Sequence, residues 1–473
     1  MTALTNTAPL NVRAAARARR ISMTKWVLLL GSMAALGAMT TDMYLPSLPE
    51  VARELGTGMP QVQFTIAGTL IGGAAGQLFI GPMSDRFGRR TPVFVGLVVH
   101  VIASLLCAIT FSVAPLFVLR MFQGVGNAAA GVVAIAVIRD RMSGAEASGL
   151  LSRLMLVIGI APLLAPTVGA ALAHMWGWRS IFIVLATLGM SLLVLVWKFL
   201  PETLPAEKRI TSTREVMVSY RVLLGDRRFL AYALLPGLAQ AALFAYVAGS
   251  PFVLREGFNL TPGQFSLLFA ANGLGLVIAA QVNAALVKKF APVRIMRLAA
   301  PFAALFALAL FVTALTGFGG IFGLLIPLFF LLTANAFIPP NASALALTRH
   351  GDRAGGAAAF IGAVQAGTAG LMAPAVGMLG GDGVAMASVI LGSVLVSVTV
   401  LSLTGVYRRG GWTANHPDEP ELAETSEVAG DVRVPELAAG SEPIAVVDPD
   451  ADVDAVETAA IGASAEPTGA GAR

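Results

Sequence analysis

WVLLLGSMAALGAMTTDMYLPSLPE, residues 26–50, decides the class of this chain. Its first sixteen residues carry no charge, and then Asp42 appears just before Pro46 and Pro49. An apolar run of this length reads as a membrane span. It continues past signal-peptide length and has no small-residue cleavage site at its end, so it is expected to be a retained span. Asp42 then stands either at a membrane edge or inside the membrane.

The rest of the chain repeats the pattern. Of 473 residues, 56% are hydrophobic and only 12% charged, against about a quarter charged in soluble proteins. Twelve apolar segments lie near 25–45, 62–82, 91–110, 114–137, 149–173, 178–200, 228–249, 263–287, 293–315, 320–347, 356–380 and 384–406. Each can cross ~30 Å of hydrocarbon as a helix that satisfies its own backbone hydrogen bonds. The expectation is an all-α integral membrane protein with twelve transmembrane helices. Residues 1–24 form an N-terminal segment, 25–200 and 228–407 two sets of six spans, and 201–227 a charged linker. Corresponding spans are offset by about 200 residues, as in two structural repeats. Residues 408–473 hold fourteen acids against Arg408, Arg409, Arg433 and Arg473, and their Ala, Pro, Glu, Asp and Gly content predicts a disordered acidic tail.

Basic residues give the orientation. With the N-terminus inside, the cytoplasmic side holds Arg13, Arg17, Arg19, Arg20 and Lys25, then Arg86, Arg89 and Arg90, then Arg139 and Arg141, then the linker cations. Lys288, Lys289, Arg294, Arg297, Arg349 and Arg353 continue the series, whereas the opposite loops hold only Arg53, Arg179 and Arg255. This asymmetry predicts a protein of the cytoplasmic membrane with both termini cytoplasmic. A basic body of this kind points to loop topology and membrane lipid rather than nucleic acid. The single cysteine, Cys107, allows neither an internal disulfide nor a metal set, so no metal and no cofactor is expected. Four scattered histidines (100, 174, 350 and 416) offer no interfacial cluster for a membrane enzyme, and no Walker-type loop argues for ATP-driven pumping.

Three stretches carry chemistry. GPMSDRFGRR, Gly81–Arg90, joins the second and third spans; its glycines permit tight turns, and Asp85 is an acid among bases that can pair locally or meet a helix N-terminus. VLRMFQGVGNAA, Val118–Ala129, puts Arg120 and Gln123 inside the fourth span, with Arg120 ~9 Å from the outer surface at ~1.5 Å per residue. GIAPLLAPTVGA, Gly159–Ala170, bends the fifth span at Pro162 and Pro166 and offers flat faces at Gly159 and Gly169.

Together these resemble the loop, fourth-span and antiporter motifs of the major facilitator superfamily, and TDMYLPSLP, Thr41–Pro49, resembles its Bcr/CflA drug-resistance subfamily. The likeness covers roughly residues 24–408. One departure is that Ala161 and Ala165 precede the two prolines where the motif usually has glycine. The resemblance implies two pseudo-symmetric six-helix bundles around a central cavity. It implies efflux of phenicol- or bicyclomycin-like drugs, driven by the proton gradient without a cofactor. It further implies a proton-transfer role for Arg120 and a conformational role for Gly81, Asp85, Arg86, Gly88, Arg89, Gly159, Pro162, Pro166 and Gly169.

Asp42 and Arg120 both fall in the outer halves of their spans. Opposite charges at matching depth offset each other's burial cost, so they are expected to face each other and couple proton to drug. Asp42 is the one acid among the thirteen before Trp412 that falls within a span, and such an acid can exchange protons as its solvation changes. Pro46 cannot donate to its carbonyl, so the helix is expected to open there. Tyr44, Gln123, Asn127, Tyr246, Asn272 and Asn335 are the candidate drug contacts; Phe64, Met155, Phe244 and Phe269 could also face the cavity. His100 is read as a packed residue. The expected partners are a small drug, protons and lipid, with the protein a monomer. A metabolite transporter of the same fold is the alternative reading, and a transporter-like sensor is a third, although it would need a folded output domain.

Overall fold

The computed structural model describes residues 8–142, 144–209 and 213–404. The acidic tail expected over 408–473 lies outside the described residues. Among the described residues, twelve helices are long and apolar enough to cross a membrane. The first six spans are Thr24–Glu54, Met59–Phe87, Arg90–Ala108, Val113–Arg141, Gly149–Trp176 and Arg179–Phe199. The second six are Arg227–Glu256, Pro262–Leu286, Pro292–Thr316, Gly320–Thr348, Ala354–Met378 and Gly383–Leu403.

Two spans run past their expected ends. The first breaks after Asp42, turns through a short 3-10 segment at Leu45–Ser47 and resumes as a helix over Leu48–Glu54. Pro46 supplies the interruption, because its nitrogen has no hydrogen to give to the preceding turn. The seventh continues through a π-helical turn, Pro251–Glu256, for the same reason at Pro251. Periodic apolarity alone does not register either continuation, since Glu50, Arg53, Arg255 and Glu256 look like loop residues. The 201–227 linker also holds a helix, Thr213–Gly225. It buries Leu223, leaves Met217 and Leu224 exposed, and anchors to the second span where Tyr220 Oη donates to the Leu78 carbonyl (3.0 Å).

Helix starts follow local chemistry. Thr261 and Gln264 form a capping box at the eighth span, and Asp382 accepts from the Ala385 amide (2.7 Å) at the twelfth. Asp226 caps the seventh through the Arg228 and Phe229 amides and also takes Arg349 (3.0 Å) and His350 (3.1 Å). Burial alone would push its carboxyl up, but hydrogen bonds from Phe229, Arg349 and Arg228 outweigh that and hold it below the ordinary 3.8. The linked stability is therefore fully present above pH ~4 and lost as pH falls through the depressed value. Asp226→Ala is expected to lower thermal stability at pH 7 by about 1–2 kcal/mol, the scale of a lost helix cap, and by less at pH 3; a melting series in detergent measures both.

Packing inside the N-terminal bundle depends on glycine. A Cβ on Gly72 would fall 2.0 Å from the Met121 carbonyl oxygen, and one on Gly124 would fall 2.0 Å from that of Thr69. The second and fourth spans thus touch backbone to backbone. Each bundle has its own apolar core at the basic face, one around Leu97, Val133 and Leu192, the other around Phe229, Met296 and Leu345. At the opposite face one core includes both bundles, joining Tyr44, Leu48 and Phe182 to Tyr246, Phe252 and Phe265. The second span packs on the eleventh and the fifth on the eighth. The bundles are therefore sealed together at one end and separately cored at the other, with a cavity between them.

Candidate functional site

The central cavity has a volume of about 520 Å³ and is lined from both bundles. Asp42 is the one carboxylate in its wall among the described residues, and the amides of Gln77, Asn127, Gln240, Asn272 and Gln365 supply most of the other polarity. Phe244, Tyr246 and Phe269 form an aromatic side, with Tyr246 and Phe269 stacked at 5.4 Å. Asp42 is 7% exposed, and among the described residues no hydrogen bond to its carboxylate is found. Its position follows from the helix break: the first segment of the first span stops at Asp42, and Gly169 packs so closely there that a Cβ would lie 1.9 Å from the Met43 carbonyl oxygen. Pro162 of the same motif lines the cavity, Pro166 is buried, and Gly159 faces Val277 of the eighth span at 4.0 Å.

Arg120 does not meet Asp42 in an ion pair; none joins them among the described residues. The guanidinium is fully buried behind the cavity wall. It donates through Nη1 to the Thr40 carbonyl (2.9 Å) and to Gln123 Oε1 (3.1 Å), and lies over the rings of Tyr44 (4.8 Å) and Phe182 (5.7 Å). Sequence depth placed the two charges at one level but not at one contact. The break after Asp42 presents the carboxylate to the cavity, while Arg120 points into the bundle where carbonyl and aromatic faces offset its desolvation.

The same reason removes some expected drug contacts. Tyr44 and Gln123 are fully buried and outside the cavity wall: Tyr44 Oη accepts from Thr65 (3.2 Å), and Gln123 Nε2 donates to Ser104 Oγ (2.7 Å). Asn335 is also behind the wall, donating to the Ala239 carbonyl (3.0 Å). Asn127, Tyr246 and Asn272 line the cavity. Asn127 Oδ1 accepts from Thr40 (3.3 Å), and among the described residues Tyr246 Oη and Asn272 Oδ1 have no hydrogen-bond partner. His100 is buried against Gly126 and Gly189, with Ser104 Oγ donating to its carbonyl (2.7 Å). The Met155 side chain lies outside the described residues. Phe64 does not line the cavity, whereas Gln77 does and had no signal beyond a lone amide in an apolar run.

At the basic face the loop Gly81–Arg90 is tied down by Arg89. It pairs with Asp85, donates through Nε to Asp140 (2.8 Å) and through Nη1 to Ser84 (2.8 Å). Burial alone would lower the Arg89 pKa, but hydrogen bonds to the Asp140 and Asp85 carboxylates outweigh it and raise it above its ordinary value. The Arg89 and Arg90 amides donate to Glu202 (2.8 and 3.3 Å), beneath a Gly88 whose φ of +90° suits glycine. Arg86 stacks on Phe87 (5.3 Å). Gly81 and Asp85 line a second cavity of about 390 Å³ that also reaches Gly355 and shares Gln77, Val132 and Ile135 with the central one. Asp140 and Glu202 carry this network and were passed over because each stands among loop cations.

The opposite face is closed across the bundles. Arg255 pairs with Glu50 (2.6 Å) and reaches the Pro46 carbonyl. Gln63 donates to the Ala248 carbonyl (2.9 Å) and accepts from the Gly377 amide (2.9 Å). A partly exposed ion pair is worth ~1 kcal/mol, or roughly fivefold in a two-state ratio. Arg255→Gln is expected to raise thiol labelling of a Ser250→Cys probe from this face by about that factor, in a Cys107→Ser background. Unchanged labelling would show that Arg255 does not help hold this end shut.

Comparison with known proteins places these features. The Major Facilitator Superfamily model matches residues 30–374. The chain is 35% identical over 353 residues, 74% of its length and 88% of the other's, to the uncharacterized MFS-type transporter YdgK of Bacillus subtilis. It is 32% identical over 341 residues, covering 72% of this chain and 85% of the relative, to a bicyclomycin resistance protein homolog of Haemophilus influenzae. Among solved structures, a D-xylose-proton symporter superposes with a TM-score of 0.64 at 18% identity, over 79% of this chain and 97% of that one. With twelve spans in two bundles, and with the family model and two close relatives in agreement, the chain belongs to the Major Facilitator Superfamily and is a multi-pass membrane transporter.

Proposed function

We propose that this chain exports small amphipathic drugs, of the phenicol or bicyclomycin type, in exchange for protons across the cytoplasmic membrane, with its basic face in the cytoplasm. The observation that carries this reading is Asp42: among the described residues it is the one carboxylate in the wall of an otherwise amide- and aromatic-lined cavity, and none of them donates a hydrogen bond to it. Such a group can hold a proton or release it and leave its site to a polar or cationic part of a drug. Arg120 acts from behind. It binds the Thr40 carbonyl, two residues from Asp42, so the carboxylate feels its field and its backbone anchor rather than a direct bond. The stacked Tyr246 and Phe269 offer an apolar platform. Exchange proceeds by rocking of the bundles about the cavity: the closure of Glu50, Gln63 and Arg255 opens as the Arg89 network at the basic face closes the other end.

The relative named for bicyclomycin resistance supports this reading over its alternative, a transporter of sugar, nucleoside or amino-acid derivatives, for which the ring of cavity amides is the favouring observation. Inverted vesicles with an imposed proton gradient distinguish the two. Addition of chloramphenicol or bicyclomycin is expected to release part of the gradient and drive drug uptake into the vesicles. A gradient that responds to a sugar or nucleoside and to neither drug would replace drug export with the second reading.

A further inference from the structure

A second concave surface lies away from the transport path. Between the eighth, ninth and tenth spans a groove of about 510 Å³ opens on the bundle's outer flank. Its walls are aromatic and small: Phe302 is 56% exposed, Phe306 stacks on Phe330 at 5.1 Å, and Ala299 and Ala334 form the floor. Thr333 adds no free donor, because its hydroxyl is returned to the Phe329 carbonyl (2.7 Å). Polarity is confined to one end, where Arg294 closes the groove with its guanidinium over Phe290 (5.1 Å). Lys288 and Lys289 stand just before it in the connecting loop. No acid occurs in the sequence between Glu256 and Asp352, and among the described residues neither lysine nor Arg294 makes an ion pair. From Arg294 to Phe306 the ninth span rises ~18 Å at 1.5 Å per residue, close to half of a ~30 Å hydrocarbon core.

We propose that this groove binds one anionic phospholipid of the leaflet at the basic face, with its phosphate at Arg294, Lys288 and Lys289 and an acyl chain along Phe302, Phe306 and Phe330. The dimensions suit a chain that starts at the headgroup level and ends near mid-bilayer. The cation cluster without a carboxylate supplies the preference for negative headgroups, a contribution of roughly fivefold in affinity per basic residue at a membrane surface. The aromatic walls supply a dry surface, and the small floor leaves room for the chain.

Native mass spectrometry of the full-length protein, titrated with phosphatidylglycerol or phosphatidylcholine of matched chains, tests this. The expected result is one retained phosphatidylglycerol at concentrations where phosphatidylcholine is lost. Arg294→Gln, at an exposed position that tolerates substitution, is expected to reduce that retention about fivefold and leave phosphatidylcholine unchanged. Ala299→Phe, which fills the floor, is expected to reduce retention of both, and glycerol phosphate without chains is expected not to compete. Equal retention of the two lipids by the native protein, undiminished phosphatidylglycerol on Arg294→Gln, or displacement by glycerol phosphate would each overturn the assignment.

Discussion

Asp42→Asn is expected to abolish proton-driven drug accumulation while the protein still folds and still binds drug. The substitution keeps the shape and removes the charge. Because no protein hydrogen bond to the carboxylate is found, the amide leaves no partner stranded, and Arg120 retains the Thr40 carbonyl, Gln123 and its two aromatic faces. One charge moved through 100 mV represents ~2.3 kcal/mol, a factor of roughly fifty in the gradient that exchange sustains. Inverted vesicles carrying the variant are therefore expected to lose about that factor in steady-state accumulation, with downhill drug movement preserved. Accumulation equal to the native protein's would remove Asp42 from the coupling scheme. Arg120→Ala is a different experiment. It removes a fully buried cation and exposes a void among Tyr44, Phe182 and Gln123, so its loss of transport is expected to come with a loss of stability.

The second large effect is on folding. Gly124→Ala is expected to destabilise the N-terminal bundle by about 3 kcal/mol, the upper range for an overpacked interior. The added methyl would stand 2.0 Å from the Thr69 carbonyl oxygen and 2.7 Å from the Gly73 nitrogen. Both neighbours are backbone, so no rotamer relieves the contact and the second and fourth spans must separate. Gly131, seven residues further along the same helix, has nothing within 4 Å of its would-be Cβ and lines the central cavity. Gly131→Ala is expected to leave stability intact or raise it by about 0.5–1 kcal/mol, the ordinary gain of alanine over glycine in a helix. Fluorescence-detected chromatography after a heating series reads both variants side by side, and equal midpoints would contradict the close packing of these spans.

Much of this molecule was legible in order of residues alone. The twelve spans follow from hydropathy because lipid admits few ways to satisfy a backbone, and their observed bounds lie within a few residues of those read from the sequence except where Pro46 and Pro251 carry a helix onward through an irregular turn. Gly124 and Gly169, at close helix crossings, were visible as motif letters, whereas Gly72 stood in no motif; Asp42 was visible as an acid in an apolar run. The direction of a side chain around a helix was not. Tyr44, Gln123 and Asn335 read as polar or aromatic groups at cavity depth, yet each turns into the bundle and is consumed by an internal partner. Asp140 and Glu202 read as loop acids, yet they hold Arg89 and the turn that follows Gly88.

The sequence by itself determined that this chain crosses a membrane twelve times, where its positive loops fall, and which acid stands inside. These depend on composition and on contacts within a few residues, which hydropathy and proline chemistry govern locally. Only the tertiary structure decided that Asp42 opens to the cavity while Arg120 is sealed behind its wall, and that the two bundles share a core at one face and part at the other. Those outcomes depend on the rotation of each helix about its axis, which is set by backbone contacts such as Gly124 on Thr69 and Gly169 on Met43, between residues far apart in the chain.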